Sequence, residues 1–366
     1  MSTLRVNIIL FGIGNVGSTL INQVIESQQF FLEKRNIELR FPIITNSTLA
    51  FFEKEGVKNK WKANFAQSAI PFRIEDIIEY VQEQELENLI AVDATASSEI
   101  IKNYIPLIQN GFNIVAANKK ANTLHTDFYK ELRRNLKKFD KSFLYETNVG
   151  AGLPVVQTIN ELHFSGEEIT KIRGVFSGSL SYIFNRFSAE DIPFSTILAE
   201  AEKKGYTEPD SREDLSGNDV ARKLLILARE IEQEFEFTDI KIETLLLPTL
   251  NEKQSKAEYS VNKSWFDKPF QIAKITQADD HALRYVGELN IKNKQLDVKL
   301  VSVPKSSALG QLKGADNLIE IYTKSYGEIP IVIQGAGAGK QVTARGVLTD
   351  ILKIAEKIKI KEAVWL

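Results

Sequence analysis

Val6-Asn7-Ile8-Ile9-Leu10-Phe11-Gly12-Ile13-Gly14-Asn15-Val16-Gly17 decides the first half of the fold. An apolar run of strand length meets three glycines spaced G-x-G-x-x-G, and a helical pattern follows over 18–25. Strand, glycine turn and helix in that order are the context in which this spacing binds a dinucleotide. Gly12 permits the tight turn, Gly14 lets the backbone approach a pyrophosphate, and Gly17 lets the helix pack closely on the strand. Ile13, Asn15 and Val16, between the glycines, present their backbone to the same ligand, and the free N–H groups of the helix start face its negative charge.

Working outward, strands and helices alternate. A second strand is expected over 39–45 and ends in Asn46-Ser47-Thr48. The acidic residue that holds a ribose 2′-hydroxyl at this point is missing, and Glu38 lies at the wrong end of the strand. Nothing there repels a 2′-phosphate and no basic residue follows to attract one, so NAD and NADP are both admitted. A helix over 74–84 precedes a buried strand at 89–93, after which Thr95 is placed to line the nicotinamide side of the cleft. A helix over 100–110, stopped by Gly111, leads to a strand at 113–117 that ends in Asn118-Lys119-Lys120. Charge at the carboxyl end of a strand in such a sheet points to the ligand edge. A fifth strand over 142–146 runs into Thr147-Asn148-Val149-Gly150-Ala151-Gly152-Leu153-Pro154, whose glycines and proline mark a domain boundary. The pattern predicts an α/β chain: a Rossmann-type doubly wound sheet over 1–150, then a second, α+β domain over 151–333. A C-terminal helix at 342–360, within the segment 334–366, is expected to return to the first domain.

In the second half, 172–176 reads as a strand, and Ser177-Gly178-Ser179 is placed to cap a helix over 180–187. Alternation over 283–291 and 295–303 predicts an antiparallel pair. Between them, the segment 205–223 is the densest in charge: Glu208, Asp210, Glu213, Asp214 and Asp219 crowd towards Lys223. A pocket that holds an amino acid's ammonium and moves a proton needs such a set. Ser216-Gly217-Asn218-Asp219 fits a capping box before the apolar run 220–229. Asp219 and Lys223 are four apart and share a helix face. A free lysine, with a pKa of ~10.4, is a poor base near neutrality; burial, or a second ammonium such as Lys119, would favour its neutral form.

Composition narrows the classes further. A net charge of −2 with 26% charged residues gives no basic field for nucleic acid. No apolar run reaches the ~18 residues of a membrane span and no signal-peptide pattern opens the chain, so a cytoplasmic location is expected. With no cysteine, disulfides, thiolate nucleophiles and zinc–thiolate sites are excluded. The three histidines, His125, His163 and His281, lack metal-ligand spacing. The glycine run before Lys340 fails as a phosphate-binding loop, because Gln334 and Gln341 stand where glycine and a hydroxyl are needed; it reads as a close backbone turn opening the last helix. Trp61, Trp265 and Trp365 are expected to serve packing.

Asn118-Lys119-Lys120-Ala121-Asn122, the 147–154 turn, Ser177-Gly178-Ser179-Leu180-Ser181-Tyr182-Ile183, the 205–223 segment and Gly335-Ala336-Gly337-Ala338-Gly339, in this order, resemble homoserine dehydrogenase over essentially the whole chain. The likeness is greatest to the dehydrogenase part of fused aspartokinase–homoserine dehydrogenases, with no kinase or regulatory ACT domain expected in this chain. The resemblance implies reversible hydride transfer between L-homoserine and L-aspartate 4-semialdehyde with NAD or NADP. It implies Lys223 as general acid/base, Lys119 at the reacting oxygen and the dinucleotide, and Glu208, Asp214 and Asp219 about the substrate. Gly178 would border the cleft, and Gly205 and Gly339 would touch the dinucleotide. It further implies a monovalent cation (Na+ or K+) at Glu146 and the carbonyls of Val149, Ala151 and Leu153, and a homodimer formed through the second, substrate-binding domain. Aspartate-semialdehyde dehydrogenase, the rival enzyme, needs a cysteine; a dinucleotide-sensing regulator would have no use for the lysines and acids.

Overall fold

In the computed structural model, which describes residues 3–250 and 254–364, the chain forms two compact units. The first comprises Met1–Gly152 with Gly339–Leu366, and the second Leu153–Ala338.

The first unit is built on a seven-stranded sheet: β1 (Leu4–Phe11), β2 (Ile37–Thr45), β3 (Leu49–Phe52), β4 (Ile70–Pro71), β5 (Leu89–Asp93), β6 (Asn113–Ala116) and β7 (Phe143–Leu144), in the order β4-β3-β2-β1-β5-β6-β7. β2, β1, β5, β6 and β7 run parallel, while β3 and β4 join antiparallel at one edge. The order reverses at β1, so β2 and β5 flank it and the glycine turn opens at the switch point, where such sheets bind ligands. The parallel core strands are apolar on both faces (Val6, Ile8, Ile9 and Leu10 are fully buried), as a sheet covered on both sides requires. Where a strand over 142–146 was expected, only Phe143–Leu144 pairs, and Glu146–Asn148 turns as a 3₁₀ segment.

The first helix, Asn15–Arg35, runs ten residues beyond the pattern that announced it and ends where Asn36 takes a left-handed conformation (φ 52°) that satisfies the last carbonyls. Against it and β1 packs the last helix, Lys340–Val364. Ala344, Val347, Leu348, Ile351 and Ile354 join one cluster with Val6, Ile8, Leu20 and Val24. Trp61 is buried, with its indole N–H on Asn22. Trp265, expected to pack, is 47% exposed, and Trp365 lies outside the described residues.

The second unit carries a six-stranded sheet of β8 (Ile169–Val175), β9 (Lys241–Ile242), β10 (His281–Asn290), β11 (Gln295–Pro304), β12 (Asp316–Thr323) and β13 (Ile331–Ala336), ordered β13-β12-β8-β10-β11-β9. All pairs are antiparallel except β11 with β9. Helices Gly178–Ala189 and Asn218–Glu230 pack on β10. The first begins at Ser177, whose hydroxyl accepts the Leu180 N–H. The capping box expected at 216–219 does not form. The N-cap of Asn218–Glu230 is Gly217 at φ 78°, and a Cβ there would stand 2.2 Å from the Tyr285 hydroxyl oxygen. The glycine run at 334–339 also differs from a simple turn: Gln334, Gly335 and Ala336 complete β13 before the last helix starts at Lys340.

Because Ile351 is fully enclosed in the core of the first unit, Ile351→Ala should lower that unit's stability by about 2–5 kcal/mol. Chemical denaturation of the variant beside the parent measures it.

Candidate active site

The first unit offers a cavity and the second a cluster of polar side chains, each built from short local motifs. In the first, Gly12 sits at φ 97°, and a Cβ there would lie 2.8 Å from the Thr95 methyl. Its N–H and that of Ile13 are held by the Thr45 carbonyl at 3.0 and 3.1 Å, which fixes the turn to the end of β2. A Cβ at Gly17 would fall 1.9 Å from the Gly12 carbonyl oxygen, so only glycine lets the helix start so close to the turn. At Gly14, the N-cap, nothing stands within 4 Å of the missing Cβ. That open space over a helix N-terminus without acidic residues in its first turn suits a phosphate. The cavity above it is about 830 Å³ and is lined by Gly12, Ile13, Gly14, Thr95 and Ser97, with Thr45, Asn46 and Ser47 from the end of β2. The same wall includes Phe72, Arg73 and Lys102, which carry no mark in the sequence. β4 and the helix after it reach this edge only through the antiparallel addition of β3. Asn15 is exposed, Val16 half-buried and Gly17 buried in the first helical turn; Lys119 is half-buried in the turn after β6, and neither it nor Gly339 is part of the cavity wall.

Asp93, buried at the end of β5, accepts hydrogen bonds from the Thr95 N–H (2.8 Å), the Tyr104 hydroxyl (2.7 Å) and the Asn118 amide (2.9 Å). Burial still raises its carboxyl above the ordinary range. The bonds tie the Thr95 loop to the turn that carries Lys119. Glu146 is buried, its N–H donating to Asp350 at 2.9 Å and its carboxylate 3.9 Å from the Lys353 ammonium. Val149 and Ala151 follow in the same turn, Ala151 at φ 52°; Leu153 opens the second unit.

In the second unit, Lys223 is 8% exposed. Its ammonium lies 2.8 Å from the Asp219 carboxylate, one helical turn earlier, and donates to the Phe176 carbonyl at 2.7 Å. Asp214 accepts the Ser179 hydroxyl at 2.6 Å and the Glu208 N–H at 2.9 Å, and Ser177 and Ser179 are bonded to each other at 2.8 Å. Burial pushes the Asp214 carboxyl up to about 6, helped by the charges of Glu208 and Asp219 and opposed by its two donors. Gly178 opens the helix beside these serines, and a Cβ there would come 3.0 Å from the Ala315 carbonyl. Gly205, at φ 70°, ends the preceding helix on the exposed side of the segment. A buried amine with fixed acceptors, beside carboxylates that include one of raised affinity for protons, can hold and move a proton and can receive a cationic group.

A glycine-turn cavity in one unit and a buried lysine paired with a carboxylate in the other define a Rossmann-type protein with a separate α+β unit. Comparison with known proteins identifies it further. Residues 154–352 match the family model described as homoserine dehydrogenase, and residues 12–146 the one described as homoserine dehydrogenase, NAD binding domain. The homoserine dehydrogenase of Saccharomyces cerevisiae is 37% identical over 98% of this chain and 100% of its own. A bifunctional aspartokinase/homoserine dehydrogenase of Buchnera aphidicola is 40% identical over 95% of this chain, which spans 42% of that relative's length. Among solved structures, a Candida auris protein of unknown function superposes with a TM-score of 0.88 at 31% identity, covering 97% of this chain and 99% of its own. A hyperthermophilic archaeal homoserine dehydrogenase in complex with NADPH shares the fold, with a TM-score of 0.73 at 23% identity over 97% and 98% of the two chains. The chain belongs to the homoserine dehydrogenase family.

Asp214 has a testable signature. Its folded pKa of about 6 exceeds the ordinary value of 3.8, so the stability its neutral form contributes is present below pH 4 and lost as pH rises through 6. Asp214→Asn should therefore gain on the parent in melting temperature between pH 4 and pH 7; parallel melts across that range measure the difference.

Proposed function

We propose that this protein interconverts L-homoserine and L-aspartate 4-semialdehyde by hydride transfer with NAD or NADP. The observation that carries the reading is the buried Lys223 amine, fixed between the Asp219 carboxylate and the Phe176 carbonyl, with Asp214, which accepts the Glu208 N–H, near enough to Asp219 to feel its charge.

Oxidising a primary alcohol removes a proton from oxygen and a hydride from the carbon that bears it. The nicotinamide, when bound, supplies the hydride acceptor. Lys223, as the neutral amine, takes the hydroxyl proton and becomes an ammonium, which Asp219 and the Phe176 carbonyl are placed to stabilise; in the reverse direction the ammonium gives the proton back. Lys119 is assigned as the second lysine at the reacting oxygen, where its charge would favour the developing alkoxide. Glu208 and Asp219 hold the substrate's ammonium, with Asp214 shaping the polar wall they share. Gly205 and Gly339 support the dinucleotide from beyond the cavity, and Gly178 borders the cleft.

The residues of the first unit fit a dinucleotide: the space over Gly14 would be closed by a side chain, and the Asn15–Arg35 helix offers its N–H groups there. At the end of β2, Thr45 to Thr48 include no carboxylate, so the 2′-phosphate of NADP is not repelled and both coenzymes are admitted. Glu146 with the carbonyls of Val149, Ala151 and Leu153 is a hard-oxygen set suited to Na+ or K+, with Lys353 as a neighbouring competitor for the carboxylate. Assembly is as a homodimer through the second unit. Among the described residues no helix is long and apolar enough to cross a membrane, which supports a cytoplasmic location.

Lys223→Ala should reduce homoserine oxidation by ~10²–10⁴-fold, followed as reduced-coenzyme absorbance with NAD+ and with NADP+; unchanged rates would refute the role given to Lys223. Glu208→Ala and Asp219→Ala should raise the KM for homoserine far more than the KM for coenzyme. Steady-state kinetics with each substrate varied in turn would show otherwise if both constants weakened together.

A further inference from the structure

The glycine run that ends β13 has a use beyond turning the chain. A Cβ on Gly337 would lie 2.0 Å from the side-chain amide carbon and nitrogen of Asn317, so that amide occupies the space a side chain at 337 would take. Asn317, on β12, is fully buried. Its amide nitrogen donates to the Phe176 carbonyl at 3.0 Å, the same oxygen that accepts from the Lys223 amine at 2.7 Å.

A carbonyl oxygen has two lone pairs, and here two side-chain donors use them. β12 pairs with β8 up to Leu318 and Val175; Phe176 lies one residue past that ladder, where no strand partner sets the direction of its carbonyl. The Asn317 amide replaces the missing ladder bond. Its own oxygen is buried without a hydrogen-bond partner, a cost that calls for a compensating role.

We propose that Asn317 is a positioning residue for Lys223, aiming the Phe176 carbonyl that holds the lysine's amine, and that position 337 is glycine to admit that amide. The inference rests on the proton-carrying role given to Lys223. With the amide absent, the carbonyl is free to turn, and the amine keeps Asp219 as its anchor.

The test compares Asn317→Ser, Asn317→Ala and Gly337→Ala with the parent and with Lys223→Ala. Expected are a fall in kcat for homoserine of ~10-fold or more, a pH–rate profile displaced from the parent's, and NADPH affinity, read by coenzyme fluorescence, within about twofold. The lysine ¹⁵N resonance that Lys223→Arg removes should also move in Asn317→Ser, a readout independent of turnover. An inactive Lys223→Ala beside Asn317 and Gly337 variants with parental kcat, pH profile and lysine resonance would overturn the proposal, whatever their melting temperatures. A fully active Lys223→Ala would instead overturn the reading on which it rests. Should an alanine variant fail to fold, Asn317→Ser decides by the same criteria.

Discussion

An ammonium cannot leave water without fixed acceptors, and the second unit is organised around that constraint at Lys223. Stranding such a charge in a protein interior costs several kcal/mol unless partners with good geometry receive it. Asp219 comes from one turn earlier on the same helix, and the Phe176 carbonyl from the end of β8. The helix can stand where it does because Gly217 starts it in a left-handed conformation against Tyr285, where a side chain would collide with the phenol. The sheet order that sets β12 and β10 on either side of β8 fixes the remaining distances. A merely structural ion pair of spacing i,i+4 contributes a few tenths of a kcal/mol on a solvated surface; the burial of Lys223 is what sets this pair apart and what the proposed proton transfer draws on.

The first unit solves the opposite problem, that of receiving negative charge. At the glycine turn it offers backbone N–H groups and the space that three glycines leave, with Arg73 and Lys102 in the wall of the same cavity. Asp93 shows how the surrounding loops are held: one buried carboxylate with three donors joins the Thr95 loop, Tyr104 and Asn118. Both units contain a carboxyl that burial pushes up to about 6, Asp350 in the first and Asp214 in the second. Asp350 shares Lys353 with Glu146, whereas Asp214 feels the charges of Glu208 and Asp219, the latter paired with Lys223; the proposed chemistry uses the second set.

Elements with a strong period and a clear stop were legible in the sequence. β5 falls on the residues its apolar run marked, because a fully buried parallel strand needs an unbroken one. The pair β10 and β11 was visible in sequence as alternation, although only β11 shows alternating exposure and β10 is buried on both faces from Ala282 to Gly287. β3, β4, β12 and β13 were not assigned. β4 is two residues long and exposed, and its pairing is decided by tertiary contact. The glycine run hid the end of β13 because glycine reads as a turn whether or not a strand passes through it. At the site, charged residues were easy to find because five carboxylates and a lysine crowd one short segment, though of these only Lys223 is buried. Phe176, which acts through its backbone, and Asn317, an ordinary amide in sequence, carry no such mark. The misread cap at 216–219 has a similar origin: serine is the better cap in isolation, but the Tyr285 hydroxyl leaves room only for glycine at the position that matters.

The last helix, Lys340–Val364, supplies part of the core on which β1 and the first helix rest. In sequence this helix follows the sheet it completes, and the whole second unit, continuous from 153 to 338, lies between them. During translation Val6, Ile8 and Leu20 therefore lack part of their cover until the second unit has been made, and that uninterrupted stretch is able to fold in the meantime.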